Sequence, residues 1–140
     1  MSPNEMTVVA LGGNLAGDFA SSQALLEDAV LHLVGAGLPL ARRSSWWRSA
    51  AWPDPSAPEY RNGVILVEAK QDPHQVLQTL LALEARYGRR RGPRNAARTL
   101  DLDLIAHGRQ VLSGPDLILP HPRAHERLFV MGPLAEIAPD

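Results

Sequence analysis

Cysteine is absent from the 140 residues, which excludes disulfides, thiolate metal sites and a cysteine nucleophile. Lysine is nearly absent: Lys70 stands alone. The glycines of Gly12-Gly13-Asn14 are therefore not followed by the Gly-Lys-Ser/Thr of a Walker A phosphate loop. No apolar run is long enough to cross a bilayer. The start, Met1-Ser-Pro-Asn-Glu-Met6, lacks the basic and apolar regions of a signal peptide, so the cytoplasm is the expected compartment. A formal net charge of −1 argues against binding nucleic acid through an overall field. Hydrophobic residues at 45% and charged ones at 21% are ordinary for a globular chain. The length suits one domain, residues 1–140, with a single core.

The charge that is present is unevenly placed. Arg89, Arg90, Arg91, Arg94 and Arg98 cluster ahead of Thr99-Leu100-Asp101-Leu102-Asp103-Leu104-Ile105. Strand side chains alternate faces, so Asp101 and Asp103 share one face while Leu100, Leu102 and Leu104 take the other. Their Cα atoms would lie roughly 6.5–7 Å apart. Both carboxylates can then converge on one divalent ion, or on two ions about 3.5–4 Å apart as in two-metal phosphoryl transfer. Two carboxylates on a largely buried strand repel each other and lose solvation, so a cation is needed to offset them. Arginine forks beside them suit phosphate.

Along the chain, Thr7–Leu11 reads as a buried strand ending in Gly12-Gly13-Asn14, where the backbone can turn and approach a ligand. Ser21 or Ser22 caps a helix to about Val34, with Leu25, Leu26, Ala29, Val30, Leu33 and Val34 on its apolar stripe. A second strand is expected over residues 38–47. Three prolines between 49 and 58 make a loop suited to covering a pocket. Residues 62–69 form a third strand. Asp72 caps a second helix that Pro73 opens and Gly88 ends, with Val76, Leu77, Leu80, Leu81 and Leu83 as its apolar side. The aspartate strand covers about 99–106, followed by a short return near Val111, the proline-punctuated segment Leu119–Arg123, and a short helix near 124–129.

Strand, helix, strand, strand, helix, strand is the α+β, ferredoxin-like βαββαβ order, an antiparallel sheet with helices packed on it. There the first strand lies between the third and fourth. One edge would then gather Gly12-Gly13-Asn14, Tyr60-Arg61-Asn62 and Asp101, framed by the proline-rich and arginine-rich loops. Asn62 offers donor and acceptor on one amide, which suits a heterocycle edge. His121 and His125 have the i, i+4 spacing of a zinc pair without the remaining ligands of a zinc motif, so His121, beside Arg123 and Arg127, better suits an anion. Trp46 and Trp47, adjacent on a strand, would point opposite ways. The segment Asn62–Glu68 has no stacking aromatics for RNA. On the residues alone, a ferredoxin-like ligand-binding module and another Mg²⁺-dependent phosphotransferase, a nuclease or an ordinary kinase, stay open as alternatives.

These residues together resemble the 6-hydroxymethyl-7,8-dihydropterin pyrophosphokinase family of folate biosynthesis, from about Val8 to Pro139. The resemblance is carried by Leu11-Gly-Gly-Asn-Leu15, Tyr60-Arg-Asn62, Gly88-Arg-Arg-Arg91, Arg98-Thr-Leu-Asp-Leu-Asp103, Leu119-Pro-His-Pro122 and Pro133-Leu-Ala-Glu-Ile-Ala-Pro139. It implies transfer of pyrophosphate from ATP to the pterin's hydroxymethyl oxygen, releasing AMP. It implies two Mg²⁺ ions on Asp101 and Asp103, with Arg89, Arg91 and Arg98 on phosphates and Asp103 as a local proton acceptor. Glu84, Leu104, His121 and Arg127 match nucleotide positions. Gly12, Ser49, Ala50, Trp52, Tyr60, Asn62 and Phe129 match the pterin pocket. A monomer acting on small molecules, with neither nucleic acid nor membrane as partner, is the expectation. The chain departs from the family at Ala96-Ala97, where Gly-Pro is usual, and at Asn95, where an aromatic often stacks. Family members usually continue past the position of Asp140.

Overall fold

The computed structural model describes residues 6–13, 21–49, 60–87, 100–107, 112–113, 117–119 and 137. Its elements run β1 (Thr7–Gly13), α1 (Ser22–Gly35), β2 (Leu40–Arg43), β3 (Trp47–Ser49), β4 (Tyr60–Val67), α2 (Pro73–Arg86), β5 (Asp101–His107), β6 (Leu112–Ser113) and β7 (Ile118–Leu119). The main sheet is antiparallel in the order β2-β4-β1-β5, with β3 also on β4. This is the α+β arrangement expected from the sequence, with β1 between β4 and β5.

Both helices begin on side-chain caps. Ser21 Oγ accepts the Ala24 N–H at 3.0 Å. Asp72 forms a full capping box, its Oδ1 accepting from Gln75 N at 2.9 Å while Gln75 Oε1 accepts from Asp72 N at 3.1 Å. Two of the first turn's orphan donors are thereby satisfied. Each helix turns one apolar stripe to the sheet. The stripes are narrower than the sequence suggests: Val34 and Leu81 are exposed, because the core meets only Leu25, Leu26, Ala29, Val30 and Leu33 of α1 and chiefly Val76, Leu80 and Leu83 of α2.

Strand alternation divides the apolar residues between two cores. Val9, Leu11, Ile65, Val67, Leu100, Leu102 and Leu104 face the helices and pack with their stripes. Met6, Val8, Ala10, Val64, Leu66 and Ile105 form a second cluster with Ile137. A sheet apolar on both faces needs cover on both. On the second face part of it comes from the C-terminal region, where Arg42 Nη1 donates to the Ile137 carbonyl at 2.8 Å.

The second expected strand is in fact two, β2 and β3, interrupted at 44–46. At the break Ser44 N donates to the Val64 carbonyl at 2.9 Å, and Val64 N donates back to Ser44 Oγ at 3.0 Å. A hydroxyl thus takes the place of a ladder carbonyl and the strand ends. Trp46 leaves the sheet plane there, over Gly63: a Cβ at Gly63 would meet its ring at 2.6 Å. Its Nε1 donates to Glu27 Oε1 at 2.7 Å. Arg43 also bonds Glu27 and lies 5.5 Å from the Trp46 ring centroid. The bond from Arg43 holds the Glu27 carboxyl below its ordinary range. The return expected near Val111 appears as β6, which pairs with β7. The helix expected near 124–129 and Gly88 lie outside the described residues.

Candidate active site

Register places the candidate residues with no reference to their chemistry. Trp47 pairs with Asn62, Asn62 with Gly12, and Gly12 with Asp101. These four positions form one row across β3, β4, β1 and β5. Two residues back along β1, Ala10 pairs with Asp103. Paired residues share a sheet face, so Asn62, Gly12, Asp101 and Asp103 stand on the face of the second cluster, away from α1 and α2. The edge that topology was expected to assemble is thus present for Gly12, Asn62 and Asp101.

A bulge puts the aspartates on that face. Val8 pairs with Ala106 but Val9 with Leu104, so Ile105 is the extra residue. Without it Leu11 would oppose Asp103, and both carboxylates would turn into the helix-side core. With it Leu102 and Leu104 fill that core, and Asp101 and Asp103 remain half-buried on the opposite face.

Gly12 is where the backbone is approached most closely. A Cβ there would lie 2.6 Å from Asn62 Oδ1, so the carboxamide occupies the space that a side chain would take. Asn62 is buried, at 6% exposure. A buried amide is retained where its donors and acceptor are used. The arrangement brings a planar hydrogen-bonding group to one side of Gly12 and a carboxylate to the other.

Glu84 reaches the aspartate strand from the helix layer. It is 3% exposed, and its Oε2 accepts the Leu102 N–H at 2.7 Å. Leu102 lies between the two aspartates, so this charge-assisted bond fixes the backbone that spaces them. The sequence offered no local signal for this tie. Nor did it place Trp47 in the row, because that depends on where the strand breaks.

The donor set suits magnesium. Asp101 and Asp103 are hard oxygen ligands on one face, and Mg²⁺ is bound by one or two carboxylates completed by water and substrate phosphate. Among the described residues no group of three or more His, Cys, Asp or Glu is arranged to hold a metal ion. A cation on Asp101 and Asp103 could complete its shell with water and phosphate oxygens. Also among the described residues, no helix is long and apolar enough to cross a membrane.

The other residues singled out by sequence divide plainly. Leu104 is buried in the helix-side core. Ser49 and Tyr60 pair with each other at the β3–β4 ends, next but one to Trp47 and Asn62. Ala50, Trp52, Arg89, Arg91, Arg98, His121, Arg127 and Phe129 lie outside the described residues.

A family model described as 7,8-dihydro-6-hydroxymethylpterin-pyrophosphokinase (HPPK) matches residues 8–139. The chain is 46% identical over 133 residues to the 2-amino-4-hydroxy-6-hydroxymethyldihydropteridine pyrophosphokinase of Synechocystis sp., covering 95% of this chain and 66% of that protein. A protein of the same name from Methylorubrum extorquens is 38% identical over 133 residues, with 94% and 82% covered. Another, from Pseudomonas aeruginosa, is 39% identical over 132 residues, with 94% and 80% covered. The chain thus spans about two thirds of the first relative's length and about four fifths of the other two.

Proposed function

The chain belongs to the 7,8-dihydro-6-hydroxymethylpterin-pyrophosphokinase family, and on that footing we propose that it transfers pyrophosphate from ATP to 6-hydroxymethyl-7,8-dihydropterin, releasing AMP, within folate biosynthesis. The observation that carries the reading is the row Asn62–Gly12–Asp101 with Asp103 two residues along β5. It sets a carboxamide suited to a heterocycle edge and two carboxylates suited to a metal ion on one face of one sheet.

In the reaction the hydroxymethyl oxygen attacks the β-phosphorus of ATP. The bond from that phosphorus to the α–β bridging oxygen breaks, AMP leaves, and the hydroxyl proton is lost. Asp101 and Asp103 would hold two magnesium ions, which when bound would supply positive charge to the triphosphate and lower the pKa of an alcohol in their shell. Arg89, Arg91 and Arg98 neutralise the phosphoryl oxygens that gain charge, and His121 and Arg127 hold the phosphate chain. Asp103 accepts the hydroxyl proton locally. Glu84 and Leu104, which match nucleotide positions in sequence, lie on the helix side of β5, where Glu84 bonds the backbone between the two carboxylates. Asn62 pairs with the polar edge of the pterin, and the missing Cβ of Gly12 leaves the carboxamide room to do so. Tyr60 and Phe129 flank the ring, and Ser49, Ala50 and Trp52 close the pocket around it. The protein works on small molecules in the cytoplasm as a monomer.

The test is the nucleotide product formed from ATP, Mg²⁺ and the hydroxymethyl pterin. AMP that appears only with pterin is expected. ADP would mark a simple kinase, and no turnover a binding module. Asp101→Asn and Asp103→Asn should each lower the rate by at least roughly 10²-fold, the scale of losing one preorganised electrostatic group. The circular-dichroism spectrum should be unchanged.

A further inference from the structure

Helix α2 carries Glu84 to the aspartate strand, so whatever holds the last turn of α2 bears on the site. That turn ends at Tyr87, the C-cap residue, whose N–H bonds the carbonyls of Leu83 and Glu84 at 3.2 Å each. Tyr87 follows Glu84 by three residues, the spacing of neighbours on a helix surface. Its ring packs against the helix-side core. Its hydroxyl leaves α2 altogether, bonding Asp28 Oδ2 and lying 2.9 Å from His32 Nδ1, both on α1.

The protons in this trio can be assigned. His32 Nδ1 has three oxygens around it: the Asp28 carbonyl at 3.0 Å, Asp28 Oδ2 at 3.2 Å and the Tyr87 hydroxyl at 2.9 Å. Two of these only accept, so Nδ1 carries a hydrogen. The tyrosine hydroxyl then donates its own hydrogen to Asp28 Oδ2. The two rings meet edge to face, with centroids 5.9 Å apart. Burial, then the bond to Asp28, push the Tyr87 hydroxyl's pKa up, so it stays a donor.

We propose that Tyr87 is a positioning residue: clasped by Asp28 and His32, it fixes the last turn of α2 so that Glu84 stays on the Leu102 N–H and the flanking carboxylates keep their spacing. The inference rests on the reading of Asp101 and Asp103 given above, but the path from Asp28 through Tyr87 and Glu84 to Leu102 is geometric and stands apart from it. The physical reason lies at the helix end. The last carbonyls of a helix lack intrahelical partners, so its final turn frays unless something outside ties it. Glu84 sits within that turn. A site that binds metal and phosphate together is sensitive to such slack, since about 1 Å of misplacement can cost roughly 10²-fold in rate.

Tyr87→Phe removes the hydroxyl and keeps the ring, and Asp28→Asn weakens the clasp from its other side. Amide hydrogen exchange in the full chain reads the Leu102 hydrogen bond directly. In both variants Leu102 should exchange roughly 2–10-fold faster, the range set by one net hydrogen bond. Amides of Val9 and Leu66, in the middle of the sheet, should be unchanged. In a Glu84→Gln background Tyr87→Phe should add nothing further at Leu102. The Mg²⁺ concentration giving half-maximal AMP formation should rise and kcat should fall, with KM for the pterin unchanged. Wild-type exchange at Leu102 in both variants overturns the proposal, as does faster exchange with an unchanged Mg²⁺ requirement. Absence of pterin-dependent AMP from the wild-type protein would instead refute the proposed function and leave the exchange result to judge the mechanical link.

Discussion

Gly12→Ala tests the part of the row proposed to meet the pterin. The new Cβ would lie 2.6 Å from Asn62 Oδ1, whereas ordinary contact begins at 3.4 Å, so the amide must retreat by about 0.8 Å. The backbone does not object: Gly37 alone among the described glycines has a positive φ. Alanine in an ordinary strand conformation restricts the unfolded chain and is worth about 0.4–1 kcal/mol in the stabilising direction. The cost falls on Asn62. A hydrogen bond of about 2.9 Å stretched by that distance is no longer a bond. Leaving its partner unsatisfied costs about 1–3 kcal/mol, a factor of roughly 5 to 150 in affinity. The expected result is a pterin Kd raised about 10–100-fold by titration calorimetry, ATP binding unchanged and a melting temperature within a few degrees of wild type. Asn62→Ala should show a similar loss, and Gly12→Ala added to it should do little more, because the group it displaces is gone. Equal losses from Gly12→Ala in both backgrounds would refute the reasoning, as would wild-type affinity in the single variant.

Gly63→Ala should act on stability. Its Cβ would meet two ring carbons of Trp46 at 2.6 Å and Ser44 Oγ at 3.3 Å, overpacking worth about 1–3 kcal/mol by denaturant titration. Asp72→Ala breaks both bonds of the capping box and should cost about 0.5–2 kcal/mol, without changing the pterin Kd. Tyr60→Phe leaves Tyr87 as the one tyrosine of the chain. Its phenolate absorbance should then rise well above pH 10, since burial and Asp28 raise its pKa in the folded state. The linked stability is complete below the unfolded value of about 10 and declines as pH climbs from there towards the folded value. A normal tyrosine titration in the folded protein would contradict this.

The helix starts, the strand order and the Gly12–Asn62–Asp101 edge were legible in the sequence because each depends on local chemistry or on topology. Ser21 and Asp72 announce caps, and the βαββαβ order dictates which strand ends meet. What escaped depends on atoms distant in sequence. The break at Ser44 is a hydroxyl answering Val64, twenty residues on. The bulge at Ile105 decides which face takes the aspartates, and alternation alone is silent about bulges. Glu84 stands out in the sequence only by resemblance, as a nucleotide position, and its bond to Leu102 depends on how α2 packs on β5. Asp28 and His32 stand four apart on α1, but nothing local brings Tyr87 to them, since its hydroxyl reaches Asp28 across 59 residues of chain.

The Glu84–Leu102 bond has a further consequence for how the protein behaves in a crowded solution. Among the described strands β5 stands last in the sheet order, and a rim in that position offers amide donors to a passing strand. Sheet rims of this kind invite end-to-end joining and aggregation unless they are blocked. Glu84 already occupies the Leu102 donor at the middle of that rim and presents a buried negative charge to an incoming backbone carbonyl. The carboxylate that bonds the backbone between the aspartates thus also removes one donor that a strand added beside them would need.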